Sequence, residues 1–137
     1  MSDTLKFDLV APERLLLSEQ VEMVIVPGSD GYFGVLPKHA PVISSLRPGT
    51  IDVYQNGAIA QQFFVAGGFA EVTATGITVL VEEAWPIAGI TRAVADKRKS
   101  IADALAEKAA NDDDRKQAAR AKWIADEMAV VAGRAGG

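Results

Sequence analysis

VPGSDGYFGVLPKHAPVISSLRPGTI, residues 26–51, holds four of the chain's six prolines (27, 37, 41 and 48) and four of its twelve glycines. Proline fixes φ and removes a backbone donor. Glycine opens the left-handed region. Both lower the entropy lost on ordering. The stretch therefore reads as a fixed loop with turns at Pro27-Gly28, Asp30-Gly31 and Pro48-Gly49.

Strand patterns flank it on both sides. Leu5, Phe7 and Leu9 alternate with Lys6 and Asp8, the period of a half-buried strand. Val21, Met23 and Ile25 continue the pattern around Glu22, and Ile51 and Val53 resume it around Asp52. Ile77, Val79 and Val81 share a face, while Leu80 makes the opposite face apolar too. Asn56-Gly57 between two such runs is a hairpin signal, because both residues of that turn need positive φ. Gly67-Gly68 and Gly76 add further turn signals. Short strands with recurring turns argue for an antiparallel sandwich or barrel.

The character changes at Trp85-Pro86-Ile87-Ala88-Gly89. No proline follows, and no glycine until Gly133. Thr91 is a candidate N-cap. Val94, Ile101 and Leu105 recur at helical spacing, with Ala102 and Ala109 widening the stripe. Asn111-Asp112-Asp113-Asp114 interrupts it with turn and cap residues whose acids suit a helix N-terminus. Ala121, Ile124, Met128 and Val131 form a second stripe flanked by Trp123. A short break between two amphipathic helices implies an antiparallel hairpin. The expected organisation is mainly β plus α: an N-terminal antiparallel β-sandwich over residues 1–86, then an antiparallel two-helix hairpin over residues 87–137. Residues 133–137 are expected to be a frayed tail.

Charge follows the same division. Up to residue 90 there are four basic residues against ten acidic ones, and beyond it ten against eight. An acidic front part without aromatic–basic clusters argues against nucleic-acid binding. No apolar run approaches the ~18 residues of a membrane span. The start, MSDTLKFDLV, has no basic region followed by a long apolar one, so no secretory signal is expected. With no cysteine, thiolate chemistry and Cys-ligated metals are excluded.

Catalytic patterns are missing as well. His39 is the sole histidine, with no metal-ligand spacing around it and no G-x-S-x-G elbow in the chain. Gly28, Gly31 and Gly34 fit neither phosphate-binding fingerprint. Glu82 and Glu83 are strand neighbours that point to opposite faces. The chain is not expected to be an enzyme on its own, and no cofactor or metal is expected. On the residues alone, a stand-alone β-sandwich binding module with a helical tail stays open as a reading.

Within residues 26–51, the succession Pro27-Gly28, Asp30-Gly31, Gly34-Val35-Leu36-Pro37, His39-Ala40-Pro41 and Pro48-Gly49 resembles the signature of the F-type ATP synthase epsilon subunit family, called delta in mitochondria. The stretch from Phe64 to Val72 is similar to that family's later Gly-Gly segment. The resemblance implies a non-catalytic rotor subunit of the central stalk, at the cytoplasmic face of the bacterial inner membrane, coupling the proton-driven c-ring to the gamma subunit. It implies c-ring contact through Asp30, Gly31, Tyr32 and His39. The family often has an acid at the position of Tyr32 and glycine at that of Lys38. It also implies a hairpin that stays docked or opens to restrain ATP hydrolysis, with Arg92, Arg98, Arg115, Arg120 and Lys122 as candidate contacts to the alpha and beta subunits. Some members bind ATP through an acid ahead of an Arg-Ala pair. Here Arg92-Ala93 is present but Gly89 holds the acidic position, so ATP binding is not expected.

Overall fold

Alternation sets the inner face of the first strand, β1 (Leu5–Ala11), where Leu5, Phe7 and Leu9 are fully buried. The computed structural model describes residues 3–134. It divides the chain into two compact units that meet in sequence between Pro86 and Ile87. The first unit continues with β2 (Arg14–Val21), β3 (Met23–Gly28), β4 (Gly31–Val35), β5 (Val42–Gln55), β6 (Ala58–Val72), β7 (Gly76–Val81) and β8 (Ala84–Pro86).

These strands bond in the order β2-β1-β7-β6-β5-β3-β4, with β8 beside β6. Among the described residues every pair is antiparallel except β1–β7, which is parallel. β5 and β6 are 14 and 15 residues long and serve both layers of the sandwich. Residues 42–46 pair with 68–72 beside β7, whereas residues 48–55 pair with 58–66 between β3 and β8. The ladder skips Arg47 and Gly67, where both strands cross between layers. The β5–β6 hairpin turns on Asn56 (φ 53) and Gly57 (φ 77), as the Asn-Gly signal requires. Valine, leucine, isoleucine and phenylalanine fill the space between the layers. Each such side chain, fully buried, stabilises by about 1.5–3 kcal/mol.

Three expectations for the sheet unit need correction. Residues 26–51 are not one loop: they form the end of β3, all of β4 and the first ten residues of β5, leaving only the Ser29-Asp30 turn and the 36–41 segment as connections. Pro48-Gly49 and Gly67-Gly68 are not turns but lie inside β5 and β6. A Cβ on Gly49 would lie 2.6 Å from Tyr32 Oη and 2.9 Å from Pro27 Cβ. Gly68, at φ +144, brings β6 so close to β7 that a Cβ there would sit 2.1 Å from the Leu80 carbonyl oxygen. Close approach, rather than chain reversal, selects glycine at both positions.

The third correction is one of phase. Val21, Met23 and Ile25 do not share a buried face. The chain bends at Glu22, whose N–H donates to the Tyr54 carbonyl (3.0 Å) and whose carboxylate accepts from the Gly57 N–H (3.0 Å). That single irregular residue inverts the alternation. In β3 it is Val24 and Val26 that are buried, and Met23 and Ile25 are half-buried.

The second unit opens with a short 3-10 turn (Ile87–Gly89) and continues as α1 (Arg92–Glu107) and α2 (Asp112–Arg134). Thr91 Oγ1 accepts from the Val94 N–H at 3.2 Å. Asn111 Oδ1 accepts from the Asp114 N–H (2.8 Å), and Asp114 Oδ2 accepts from the Ala110 N–H (3.1 Å). This reciprocal cap satisfies donors that the helix cannot pair itself. Asp112, Asp113 and Asp114 also meet the positive end of the α2 dipole. In α2, Ile124, Met128 and Val131 are buried as their spacing requires. In α1 the stripe is rotated: Ala95 and Ala102 are buried, Val94 and Leu105 are half-buried, and Ile101 is exposed. Small residues at the contact let the two helices approach closely. Gly133 and Arg134 belong to α2, and the rest of the expected frayed tail, residues 135–137, lies outside the described residues.

Gly49→Ala should cost about 1–3 kcal/mol through overpacking. Gly68→Ala should cost ~3 kcal/mol or more, since strain adds to the clash. Urea unfolding in a Trp123→Phe background, with Trp85 reporting on the sheet unit, measures both. Asn111→Ala should lower helical stability by about 1 kcal/mol, seen as faster hydrogen exchange in the first turn of α2.

Candidate functional site

Two connections meet at one end of the sheet unit. The Ser29-Asp30 turn joins β3 to β4 and is tied to β5 by the Ser29 N–H donating to the Ser45 carbonyl at 2.9 Å. The 36–41 segment joins β4 to β5. It is tied to the β6–β7 turn by the Lys38 N–H donating to the Ala74 carbonyl at 2.9 Å, and to itself by the His39 N–H donating to the Leu36 carbonyl at 3.2 Å. Lys38 holds a left-handed backbone (φ 68) at the apex. Between the two connections runs a groove of about 300 Å³, lined by Gly28, Asp30, Gly31, Phe33, His39, Ala40, Pro41, Val42 and Ser44.

The structure therefore brings Asp30, Gly31 and His39 together. His39 Nδ1 lies 2.6 Å from the Ala40 carbonyl oxygen, which only accepts, so Nδ1 carries the proton and donates. That bond orients the ring and leaves Nε2 for another partner. Tyr32 does not join this group. It projects from the other face of β4, where its Oη accepts from the Thr50 N–H at 3.1 Å and its ring lies under the Arg47 guanidinium, 5.4 Å from the centroid.

A second surface was not assigned from sequence. Leu15, Val10, Leu80 and Phe69 stand opposite one another on β2, β1, β7 and β6, in a row that ends at Ser45 of β5. All face outward. Leu15 is 59% exposed, Leu80 47% and Phe69 56%; Ile43, two residues before Ser45 on the same side of β5, is 71% exposed. Exposed apolar side chains in a contiguous row mark a partner surface. The signal was present in part, since Leu80 and Phe69 are apolar at outward positions of their strands. What brings them together is register between strands far apart in sequence.

Groove and row offer little for catalysis: one histidine, one nearby acid, and no nucleophile activated by a base. Among the described residues no group of three His, Asp or Glu side chains is placed to hold a metal ion.

The helical candidates are spread around their helices rather than gathered. Arg92 opens α1 and is exposed, and Arg98 is half-buried. Arg115 pairs with Asp112 one turn earlier. Arg120 and Lys122 are exposed. Spacings of six residues in α1, and of five and two in α2, do not align on one helix face.

Comparison with known proteins places this geometry. The model of the ATP synthase delta/epsilon chain β-sandwich domain matches residues 4–87. The ATP synthase epsilon chain of Rhodospirillum rubrum is 47% identical over 136 residues, covering 99% of this chain and 100% of that one. The chain belongs to the ATP synthase epsilon chain family. The epsilon chain of Parvibaculum lavamentivorans is 51% identical over 118 residues, 86% of this chain and 89% of its own. Among solved structures, a chain of the Euglena gracilis mitochondrial ATP synthase superposes with a TM-score of 0.77 at 25% identity, covering 93% of this chain and 80% of that one. A chain from the central stalk and c-ring of the Tetrahymena thermophila mitochondrial enzyme shares the fold, with a TM-score of 0.67 at 14% identity and coverage of 98% and 97%. Membership makes this a non-catalytic subunit of the central stalk of an F-type ATP synthase.

The strained Lys38 gives a test of the groove's rigidity. Lys38→Gly should stabilise the sheet unit by roughly 1 kcal/mol, because glycine relieves the left-handed strain. The Lys38–Asp3 ion pair, at 3.6 Å between exposed side chains, offsets little of that gain. Thermal unfolding of the variant and wild type side by side measures it.

Proposed function

We propose that this epsilon-family chain couples the c-ring to the gamma subunit, using two different surfaces of one stiff sheet unit. The supporting observation is their division of chemistry. The row through Leu15, Val10, Leu80, Phe69 and Ile43 is apolar and suits a lasting, well-packed interface, which is assigned to gamma. The groove holding Asp30, Gly31 and His39 is small, partly polar and braced by backbone hydrogen bonds to β5 and to the β6–β7 turn. It is assigned to a loop of the c-ring. Tyr32, on the other face of β4, takes no part in the groove.

β5 links the two surfaces directly. Val42 lines the groove, and Ile43, the next residue, points outward beside Phe69. Load entering at the groove passes along a strand that is hydrogen-bonded to β6 over residues 42–46, where it reaches the apolar row. No side chain changes its chemical state in this process. The chain makes and breaks no bond of ATP, and its contribution is attachment and stiffness. The assembly it serves lies at the cytoplasmic face of the bacterial inner membrane. Among the described residues no helix is long and apolar enough to cross a membrane, so attachment would come through the ring.

The helical unit is assigned a second role. Ile101, Trp123 and Val130 leave apolar surface uncovered on the helices, each 46–48% exposed. Arg92, Arg98, Arg115, Arg120 and Lys122 supply cations around it. Together they suit contact with acidic surfaces of the alpha and beta subunits, restraining hydrolysis. Gly89 supplies no carboxylate ahead of Arg92, so ATP is not assigned as a ligand.

The test is co-purification and crosslinking. Phe69→Glu or Leu80→Glu should weaken gamma binding by tenfold or more, as expected for loss of a central apolar anchor, with thermal unfolding unchanged. Cysteine at His39 should trap the c-ring loop, and cysteine at Phe69 should trap gamma. A stand-alone binding module would instead purify without gamma, alpha and beta and give neither crosslink.

A further inference from the structure

Asn56 and Gly57 form the two-residue loop between β5 and β6, with Gln55 and Ala58 paired across its base. Both loop residues are exposed and both hold positive φ, 53° and 77°. The pair that suits this turn is also open to a covalent reaction with water. In an Asn-Gly pair the glycine backbone nitrogen can lose its proton and attack the asparagine side-chain carbon, Cγ. The new N–C bond closes a five-membered imide, the Cγ–Nδ2 bond breaks, and the side-chain nitrogen takes up the proton and leaves as ammonia. Water then opens the imide at either carbonyl, leaving an aspartate or an isoaspartate at position 56. Glycine permits the attack because no side chain shields its nitrogen. Reactions of this kind make asparagine a thermolabile residue.

The nucleophile of that reaction is held in this fold. The Gly57 N–H donates to Glu22 Oε1 at 3.0 Å. In a two-residue hairpin loop this N–H has no partner in the strand ladder, so the carboxylate supplies a bond that is otherwise left to water. Glu22 is well placed to keep it. The residue is half-buried, and its own N–H donates to the Tyr54 carbonyl at 3.0 Å, at the foot of the loop. Beside it, Gln55 Nε2 donates to the Gln20 carbonyl at 2.7 Å. The junction of β2 and β3 is thus tied to the loop and its base by three hydrogen bonds. Two effects then oppose the attack. The bond to Glu22 must break before the nitrogen can turn on Cγ. A fixed negative charge beside the nitrogen also opposes its deprotonation, as one like charge opposes another. A carboxylate is itself too weak a base to take an amide proton.

We propose that the Glu22 carboxylate protects the Asn56-Gly57 loop from deamidation by holding the Gly57 N–H. What it protects is the hairpin that both layers of the sheet unit share. An isoaspartate adds one methylene to the backbone of a loop only two residues long, and loop length sets the register of β5 on β6. Either product also places a second carboxylate beside Glu22, where like charges repel. The protection acts within the chain and does not depend on any stalk partner.

The experiment holds the full chain, Glu22→Ala and Glu22→Gln folded in warm, mildly alkaline buffer and follows conversion at position 56 by peptide mapping with mass spectrometry. Glu22→Ala should convert about tenfold faster than wild type, the factor supplied by losing a hydrogen bond to a charged group. Glu22→Gln keeps an acceptor oxygen without the charge and should fall between the two. Gly49→Ala, which loosens the same unit and keeps Glu22, should convert at the wild-type rate. In urea all four chains should convert at one rate, faster than folded wild type. Asn111, followed by Asp112 rather than glycine, is the slow internal reference in every sample. Equal rates for folded Glu22→Ala and wild type overturn the proposal. A slower Glu22→Ala overturns it as well, since Glu22 would then help to remove the proton. So does a Gly49→Ala rate that matches Glu22→Ala, because general loosening would then account for both. Folded wild type that converts as fast as the chain in urea has nothing protected, and that result also overturns it.

Discussion

A strand of fourteen residues cannot stay in one layer of a small twisted sandwich, so β5 and β6 bend together where Arg47 and Gly67 leave the ladder. The rest of the sheet unit depends on that shared bend. On one side of it the two strands bond to β7, and through β7 to β1 and β2. On the other they bond to β3, through β3 to β4, and to β8. The bend leaves little room for a side chain at Gly49, which packs against Tyr32 and Pro27, and none without strain at Gly68, whose backbone lies against the Leu80 carbonyl. In return, a single pair of strands carries hydrogen-bonded continuity from one layer into the other.

That continuity is what a passive mechanical part needs. An enzyme concentrates reactive groups in a pocket; this sheet unit distributes its distinctive features over its outside. Its interior is almost wholly aliphatic and aromatic; among the described residues Thr50 is the buried polar one, and it is engaged by Tyr32. The groove is braced by backbone hydrogen bonds rather than by exchangeable side-chain pairs. The ion pairs Lys6–Asp8 and Lys38–Asp3 lie at the surface, where such pairs contribute little. Stiffness here comes from ladders and packing, which salt and pH perturb least.

The helical unit is built on a different balance. Its caps are well made at Thr91 and Asn111, so each helix starts at a defined residue. Its buried side of α1 is alanine, which contributes less burial per residue than leucine or isoleucine. Ile101 and Trp123 stay in solvent. These helices are individually well specified, and their mutual contact rests on smaller side chains than the core of the sheet unit.

Much of this was legible in the chain itself, wherever the signal is local. Leu5, Phe7 and Leu9, or Ile77, Val79 and Val81, face inward because side chains alternate along any strand. Asn56-Gly57 makes a hairpin because both residues accept positive φ. Thr91 and Asn111 cap helices because their oxygens reach the N–H three residues on. Each of these depends on a few neighbouring dihedrals. The tertiary structure alone decided that Pro48-Gly49 and Gly67-Gly68 lie within strands, that Glu22 inverts the phase of Met23 and Ile25, that Ile101 faces solvent, and that Tyr32 leaves the groove to bond with Thr50. It alone aligned Leu15, Val10, Leu80 and Phe69. These outcomes depend on register and close approach between residues tens of positions apart, and local sequence carries the capacity for such contacts without specifying which partner fills them.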